Sequence, residues 1–241
     1  TNNVTYPNAT GINAPNTRLV VSAGNDIAID APGSLSLVLE GLDLSAGGRV
    51  SINSTVHTSI TTSQGIDVRG REVALSGQNM ILNGGTGLRL EAGAGNLTVD
   101  SAILSAAGGG VQLRSTGGDT RLTTNGLTLA GSNVEVSAAN DLQVGVSGTL
   151  SLASANTTFS AGRDLTQSSG FALSQSSPSQ VSLSAGRDIR LQNNSVGLER
   201  FSANATRDLT LVSGASQGYN INQSLDLVAG QCATDRACSG G

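Results

Sequence analysis

The strings SAGRDLTQ at residues 160–167 and SAGRDIRL at residues 184–191 are nearly the same phrase, 24 positions apart. In each, a small-residue turn leads into an Arg–Asp pair, and the residues that follow alternate: Leu165 then Gln167, Ile189 then Leu191. The same pattern recurs outward as SAGNDIAI (22–29), SAGGRVSI (45–52), GREVAL (70–75), GAGNLTV (93–99), GGDTRL (117–122), AANDLQV (138–144) and ATRDLTL (205–211). The polar residue before the first strand position is Asp26, Arg49, Glu72, Asn96, Asp119, Asp141, Asp164, Asp188 and Asp208, at intervals of 23, 23, 24, 23, 22, 23, 24 and 20. A period this short and regular is the mark of a repeat architecture.

The two alternate positions after each anchor run Ile27/Ile29, Val50/Ile52, Val73/Leu75, Leu97/Val99, Thr120/Leu122, Leu142/Val144, Leu165/Gln167, Ile189/Leu191 and Leu209/Leu211. Sixteen of these eighteen are apolar in a chain that is 37% hydrophobic, so six or seven would be expected by chance. Alternation at i and i+2 is the signature of a strand with one buried face. Two further short alternations stand between anchors, as in Leu35/Leu37 with Leu42/Leu44, Met80/Leu82 with Leu88/Leu90, and Leu127/Leu129 with Val134/Val136. That gives three short strands per repeat, separated by Gly, Asn and Ser turns. No helical stripe is present, and the Gly, Asn and Ser density opposes one.

Three strands per turn, each pairing with its copy one turn along, predict an all-β fold: a right-handed parallel β-helix, a three-sided solenoid of about nine coils close to 23 residues each. With a rise of ~4.8 Å per coil the stack would be roughly 40–45 Å long. Right-handedness follows from the usual hand of parallel crossovers. The expected organisation is an N-terminal cap or partial coil over 1–18, repeats over 19–229, and a tail over 230–241 that carries Cys232 and Cys238.

Composition agrees with a narrow core. Only 2% of the 241 residues are aromatic, there is no Trp, and Gly numbers 32, which would fill a globular interior thinly but suffices for stacked Leu, Ile and Val. The chain is 12% charged with net charge −4, all of its cations being Arg, so nucleic acid and anionic membrane, which select clustered cations, are not expected partners. No apolar run approaches the ~18 residues of a membrane span, so no membrane insertion is expected. Cys232 and Cys238 stand six apart; they form either a small disulfide loop in an oxidising compartment or a pair of free thiols on a tail.

The recurring acids invite a cation-binding reading. Asp26, Asp119, Asp141, Asp164, Asp188 and Asp208 fall at one place in the coil. Turn chemistry explains them as well, because Asp and Asn accept backbone N–H bonds and tolerate corner conformations. Like charges one coil apart repel, and Arg163, Arg187 and Arg207 stand beside their own aspartates to offset this. We read the six as a structural turn ladder. GGTGLRL at 84–90 places Arg89 where a calcium nonapeptide needs Asp, and His57 is the one His in the chain, so no metal and no cofactor are expected. The acids outside the ladder, Asp30, Asp43, Asp67, Glu91, Asp100, Glu135 and Glu199, look scattered along the chain, and no Lys is present to act as a base. A polysaccharide-cleaving site would gather carboxylates on one face, so no enzymatic activity is expected. Irregular stretches around 53–65, 168–180 and 192–206 read as loops breaking the period.

The strings SAGRDIRL, SAGRDLT, SAGNDIAI and AANDLQV resemble the repeats of filamentous-haemagglutinin-like large exoproteins, the secreted partners of two-partner secretion systems, which include contact-dependent inhibition proteins. The resemblance covers nearly all of residues 19–229. It implies a β-helical rod, secreted or displayed on the bacterial surface, an outer-membrane export partner, and adhesion to surface glycans or proteins, biofilm cohesion or toxin presentation, with the rod itself a monomer. The family's amino-terminal NPNG- or NPNL-type motifs are absent, since NAPN at 13–16 does not match, which points to an interior or carboxy-terminal segment. Some members end in a cysteine pair that retains the protein at its exporter, and Cys232 and Cys238 resemble it in placement.

Overall fold

A computed structural model describes residues 2–168, 172–175, 180–193, 195–213, 219–230 and 232–234. Among them the chain is mostly strand, without a helix, and winds into a parallel β-solenoid of about nine turns. Every strand pairing is parallel. Three ladders run the length of the stack, one per side.

The first ladder carries the anchor strings. Val4, Ile27, Val50, Val73, Leu97, Thr120, Leu142, Leu165, Ile189, Leu209 and Ala233 are successive register partners. The second stacks Leu37, Ile60, Leu82, Ala106, Leu129 and Leu152; the third stacks Leu44, Val68, Leu90, Leu113, Val136, Phe159, Leu183 and Ala203. Alternate side chains turn inward to one continuous core, in which Leu35, Leu42, Ile60, Met80, Leu82 and Leu113 are essentially sealed from solvent. Full burial of each such side chain contributes about 1.5–3 kcal/mol.

The register also extends beyond the repeats read from sequence. Val4–Pro7 and Gly11–Ala23 pair with Ile27–Ala31 and Leu35–Ala46, so the stretch before residue 19 completes a coil. Cys232–Thr234 pairs with Asp208–Ser213 and starts another turn on the first side. Cys232 thus opens a strand, while Cys238 lies outside the described residues, as does any pairing between them. At the amino-terminal end, inward-facing Tyr6 is 51% exposed because only one neighbouring coil covers it.

Two of the expected loops are strand. In the stretch 53–65, His57–Thr62 is a rung of the second ladder in which Thr58, 0% exposed, takes a core position and gives its hydroxyl proton to Ser54 at 2.7 Å. Polar letters hid that strand, because Thr packs like Val once its hydroxyl has a partner. In 192–206, Ser195–Ala205 is likewise in register, and the short interval arises because Ala185 pairs with Ala205. Much of 168–180 lies outside the described residues. The two polar exceptions on the first ladder obey the same rule: buried Thr120 donates to the Ser137 carbonyl at 2.7 Å, and Gln167 donates to the Gln192 carbonyl at 3.3 Å.

The glycine of three SAG strings, at Gly47, Gly162 and Gly186, has a steric cause. Backbones of successive coils stack so closely at this corner that a Cβ on Gly162 or Gly186 would run into the carbonyl oxygen of Ala139 or Gly162.

Candidate functional site

The anchor residues form a hydrogen-bonded column at the corner before the first ladder. Asp26 Oδ1 accepts the Arg49 N–H at 2.8 Å, Asn96 Oδ1 that of Asp119 at 2.9 Å, and Asp119 Oδ1 that of Asp141 at 3.1 Å. The Asp141, Asp164 and Asp188 carboxylates accept the N–H groups of Asp164, Asp188 and Asp208 at 3.2, 3.3 and 3.3 Å. Each side chain therefore caps the anchor of the following coil. The arginines act across coils as well: Arg163 reaches Asp141 at 2.7 Å, Arg187 grips Asp164 and Arg207 grips Asp188. Sequence adjacency suggested pairs within a coil; each guanidinium bonds the preceding coil's carboxylate, and Arg207 also stands 3.5 Å from Asp208 of its own coil. The bond from Arg187 holds the Asp164 carboxyl below its ordinary range, and the bond from Arg207 does the same for Asp188.

The outer surface of the third ladder carries a second group of charges. Asp43, Asp67, Arg89, Gln112 and Glu135 are register partners in consecutive coils, and beside them run Ser45, Arg69, Glu91, Arg114 and Ser137. Arg18 contacts Asp43 at 2.6 Å, Arg69 closes on Asp67, Arg89 and Arg114 both converge on Glu91, and the Gln112 amide donates to Glu135 at 2.9 Å. Glu91 is more enclosed than Asp43 and Asp67, with its side chain 18% exposed. Burial pushes its carboxyl up, and the bonds from Arg89 and Arg114 more than reverse this, leaving it below the ordinary value.

This arrangement corrects one reading of the sequence. Asp43, Asp67, Glu91 and Glu135, which look scattered by residue number, share one face within a few coils. Residue number separates what the period of the coil brings together, and intervals of 24, 24 and 44, close to one, one and two coils, were the available signal. Asp30 joins another polar row on the first side, accepting from Asn53 at 2.8 Å, and Asn53 in turn accepts from Ser76 at 2.9 Å. His57 stands on the outer surface of the second ladder, in register with Asn79.

Comparison with known proteins adds no relative. No family model, curated protein or solved structure matches this chain. Its chemistry must therefore be read from the surface itself, where ion pairs gather at the corner and on the third side.

A shallow trough runs along that side, parallel to the axis. Its floor is backbone at Gly65, Gly87 and Gly110, with Asp67, Arg89 and Gln112 along one wall and Gln64 and Thr86 on the other. Among the described residues no group of three or more His, Cys, Asp or Glu is placed to hold a metal ion. No helix among them is long and apolar enough to cross a membrane.

Proposed function

We propose that this chain is a non-catalytic structural and adhesive segment of a large secreted or surface-exposed bacterial exoprotein, exported by two-partner secretion. The observation that carries the reading is the stacking of three parallel ladders through the described coils, which makes a stiff spacer whose sides are long, regular and polar. Stability in such a stack is shared between neighbouring coils, so it suits a shaft that carries contacts along its length. The repeat strings support the export route, and a surface position would bring surface glycans or proteins to its sides. Beads coated with the protein should attach to epithelial cells or to biofilm matrix above albumin-coated controls. Attachment no better than the controls would overturn the adhesive role.

One observation favours a second reading, a polysaccharide-cleaving β-helix. Asp43 and Asp67 are neighbours in adjacent coils beside a trough, the placement two acids need to divide acid and base roles. Each is held by an arginine, Arg18 or Arg69, which suits a structural or binding role better than proton transfer. Incubation with neutral and acidic polysaccharides should yield no new reducing ends or unsaturated products. Products that disappear in Asp67→Asn would establish the enzyme instead.

A further inference from the structure

From the bare glycine floor of the third-side trough we infer a binding site for an extended neutral polysaccharide, lying along the solenoid axis with about one sugar unit per coil. The inference rests on the adhesive reading above and names its ligand class.

The column beneath the trough reads Arg18, Gly41, Gly65, Gly87, Gly110, Asn133 and Asn156, one equivalent position in successive coils. Glycine weakens a strand, and the usual reasons for tolerating it are a bend, a bulge or the close approach of something else. Corner glycines such as Gly47, Gly162 and Gly186 have such a reason in the carbonyl of the coil below. The trough glycines do not. A Cβ at Gly65, Gly87 or Gly110 would find its nearest neighbours at 3.4, 3.6 and 3.9 Å, ordinary contact distances, and none of the three has a backbone conformation that demands glycine. The fold would accept a side chain at each position, yet three coils in a row leave it out. What the missing side chains leave open is an unobstructed strip of backbone about 14 Å long, from three coils at ~4.8 Å.

Gly41 shows how the strip is filled. A Cβ there would press on Arg18 Cγ at 3.3 Å, because the Arg18 stem already lies over it, with the guanidinium bonded to Asp43 at 2.7 Å and to Gln64 at 3.4 Å. An extended, hydrogen-bonding group thus occupies the first position of the trough. At the far end Asn133 and Asn156 restore side chains and bond to each other at 3.2 Å. The open stretch lies between these two ends.

The walls select the ligand. The Arg18–Asp43, Arg69–Asp67 and Arg89–Glu91 pairs neutralise one another, so a polyanion or polycation gains little from the trough. Carboxylate, guanidinium, amide and hydroxyl groups of Asp67, Arg89, Gln112, Gln64 and Thr86 mix acceptors and donors, matching sugar hydroxyls, each of which does both. A peptide strand would need a sheet edge, but the floor's backbone groups are already committed to parallel ladders, as in Gly65 with Gly87 and Gly110 with Asn133. The ~4.8 Å coil rise is close to the length of one pyranose unit in an extended chain, which keeps successive sugars over successive coils.

The test is calorimetric titration of the intact protein with cellohexaose, chitohexaose, mannohexaose and a heparin hexasaccharide. At least one neutral hexasaccharide should bind, and Gly87→Leu should weaken it about tenfold or more at unchanged circular dichroism and melting temperature. Should Gly87→Leu disturb folding, Gln112→Ala takes its place with the same expected direction. Failure of every neutral probe, preference for the heparin fragment, or binding indifferent to both variants would overturn the proposal. Bead attachment that survives Gly87→Leu while hexasaccharide binding is lost would keep the adhesive role and place its contacts elsewhere.

Discussion

In the coils that contain residues 43–135, ion-paired side chains stand on the third side of the prism; in those that contain residues 141–208, the same positions hold Thr158, Ser160, Ser182, Ser184 and Ser202, and the Arg–Asp pairs stand at the corner. Both regions face one difficulty. A parallel stack in register puts equivalent side chains about 4.8 Å apart, so a repeated charge repels its own copies. The earlier coils alternate sign over part of each row, Asp67 beneath Arg89 and Arg69 beneath Glu91 and then Arg114, and offset the like pair Asp43 and Asp67 with Arg18 and Arg69. The later coils repeat the aspartate and insert an arginine from the next coil between copies. Alternation frees a face to vary from coil to coil, whereas repetition keeps the corner identical and lets each carboxylate also cap a backbone N–H. The varied face is where a ligand can be recognised; the uniform corner holds coil to coil.

The largest effect should come from breaking alternation. Arg89→Glu sets a carboxylate between Asp67 and Glu91 and removes one of the two guanidinium groups on Glu91; it should lower the unfolding free energy by about 1–2 kcal/mol in a denaturant titration. A variant as stable as the parent would show that the third-side pairs are held in place by the ladders and add nothing to them.

A smaller loss is expected at the corner. Replacing Arg163, Arg187 and Arg207 together by Met leaves Asp141, Asp164 and Asp188 stacked without their cations, but the arginines are about half exposed and the aspartates still cap the next coil. The melting temperature should fall by a few degrees, and added salt should recover most of the difference by screening the aspartate column. No recovery in salt would mean that packing of the arginine stems, and not charge, is what was lost.

The smallest effect is the pH dependence. Asp164 and Asp188 are depressed by their arginine bonds, so their stabilisation is complete above the unfolded aspartate value of ~3.9 and is lost as pH falls through the lower folded values. Thermal stability should therefore decline from about pH 5 downward, and the double variant Asp164→Asn, Asp188→Asn, which keeps both N–H acceptors, should decline less steeply. An unchanged slope would leave Glu91, depressed on the third side, as the main acid-sensitive group.

The first ladder was legible because its anchor, its turn glycine and its alternation coincide in strings such as SAGRDIRL. Thr58 and Ser54 were not, since a hydroxyl pair that satisfies itself inside the core has the composition of a loop. Asn3-Val4-Thr5-Tyr6 repeats the anchor pattern 23 residues before Asp26, and its place in register could have been read by extending the count backward. The third-side ion pairs demanded one further step, folding the sequence on its own period so that Asp67, Arg89, Gln112 and Glu135 fall in a column. The trough glycines could not be recognised from sequence at all. Corner and floor glycines share a letter, and only the space around a missing Cβ separates them.

Because each coil hands the next the same three rows of backbone donors and acceptors, reach in this protein is a matter of copy number. Duplicating one 23-residue unit between two existing coils would satisfy every new group with partners of the kind already present, lengthening the rod by ~4.8 Å and leaving its girth unchanged. Such a molecule works as a graduated yardstick, which unequal recombination can lengthen or shorten by one mark while the contacts at every other mark stay as they were.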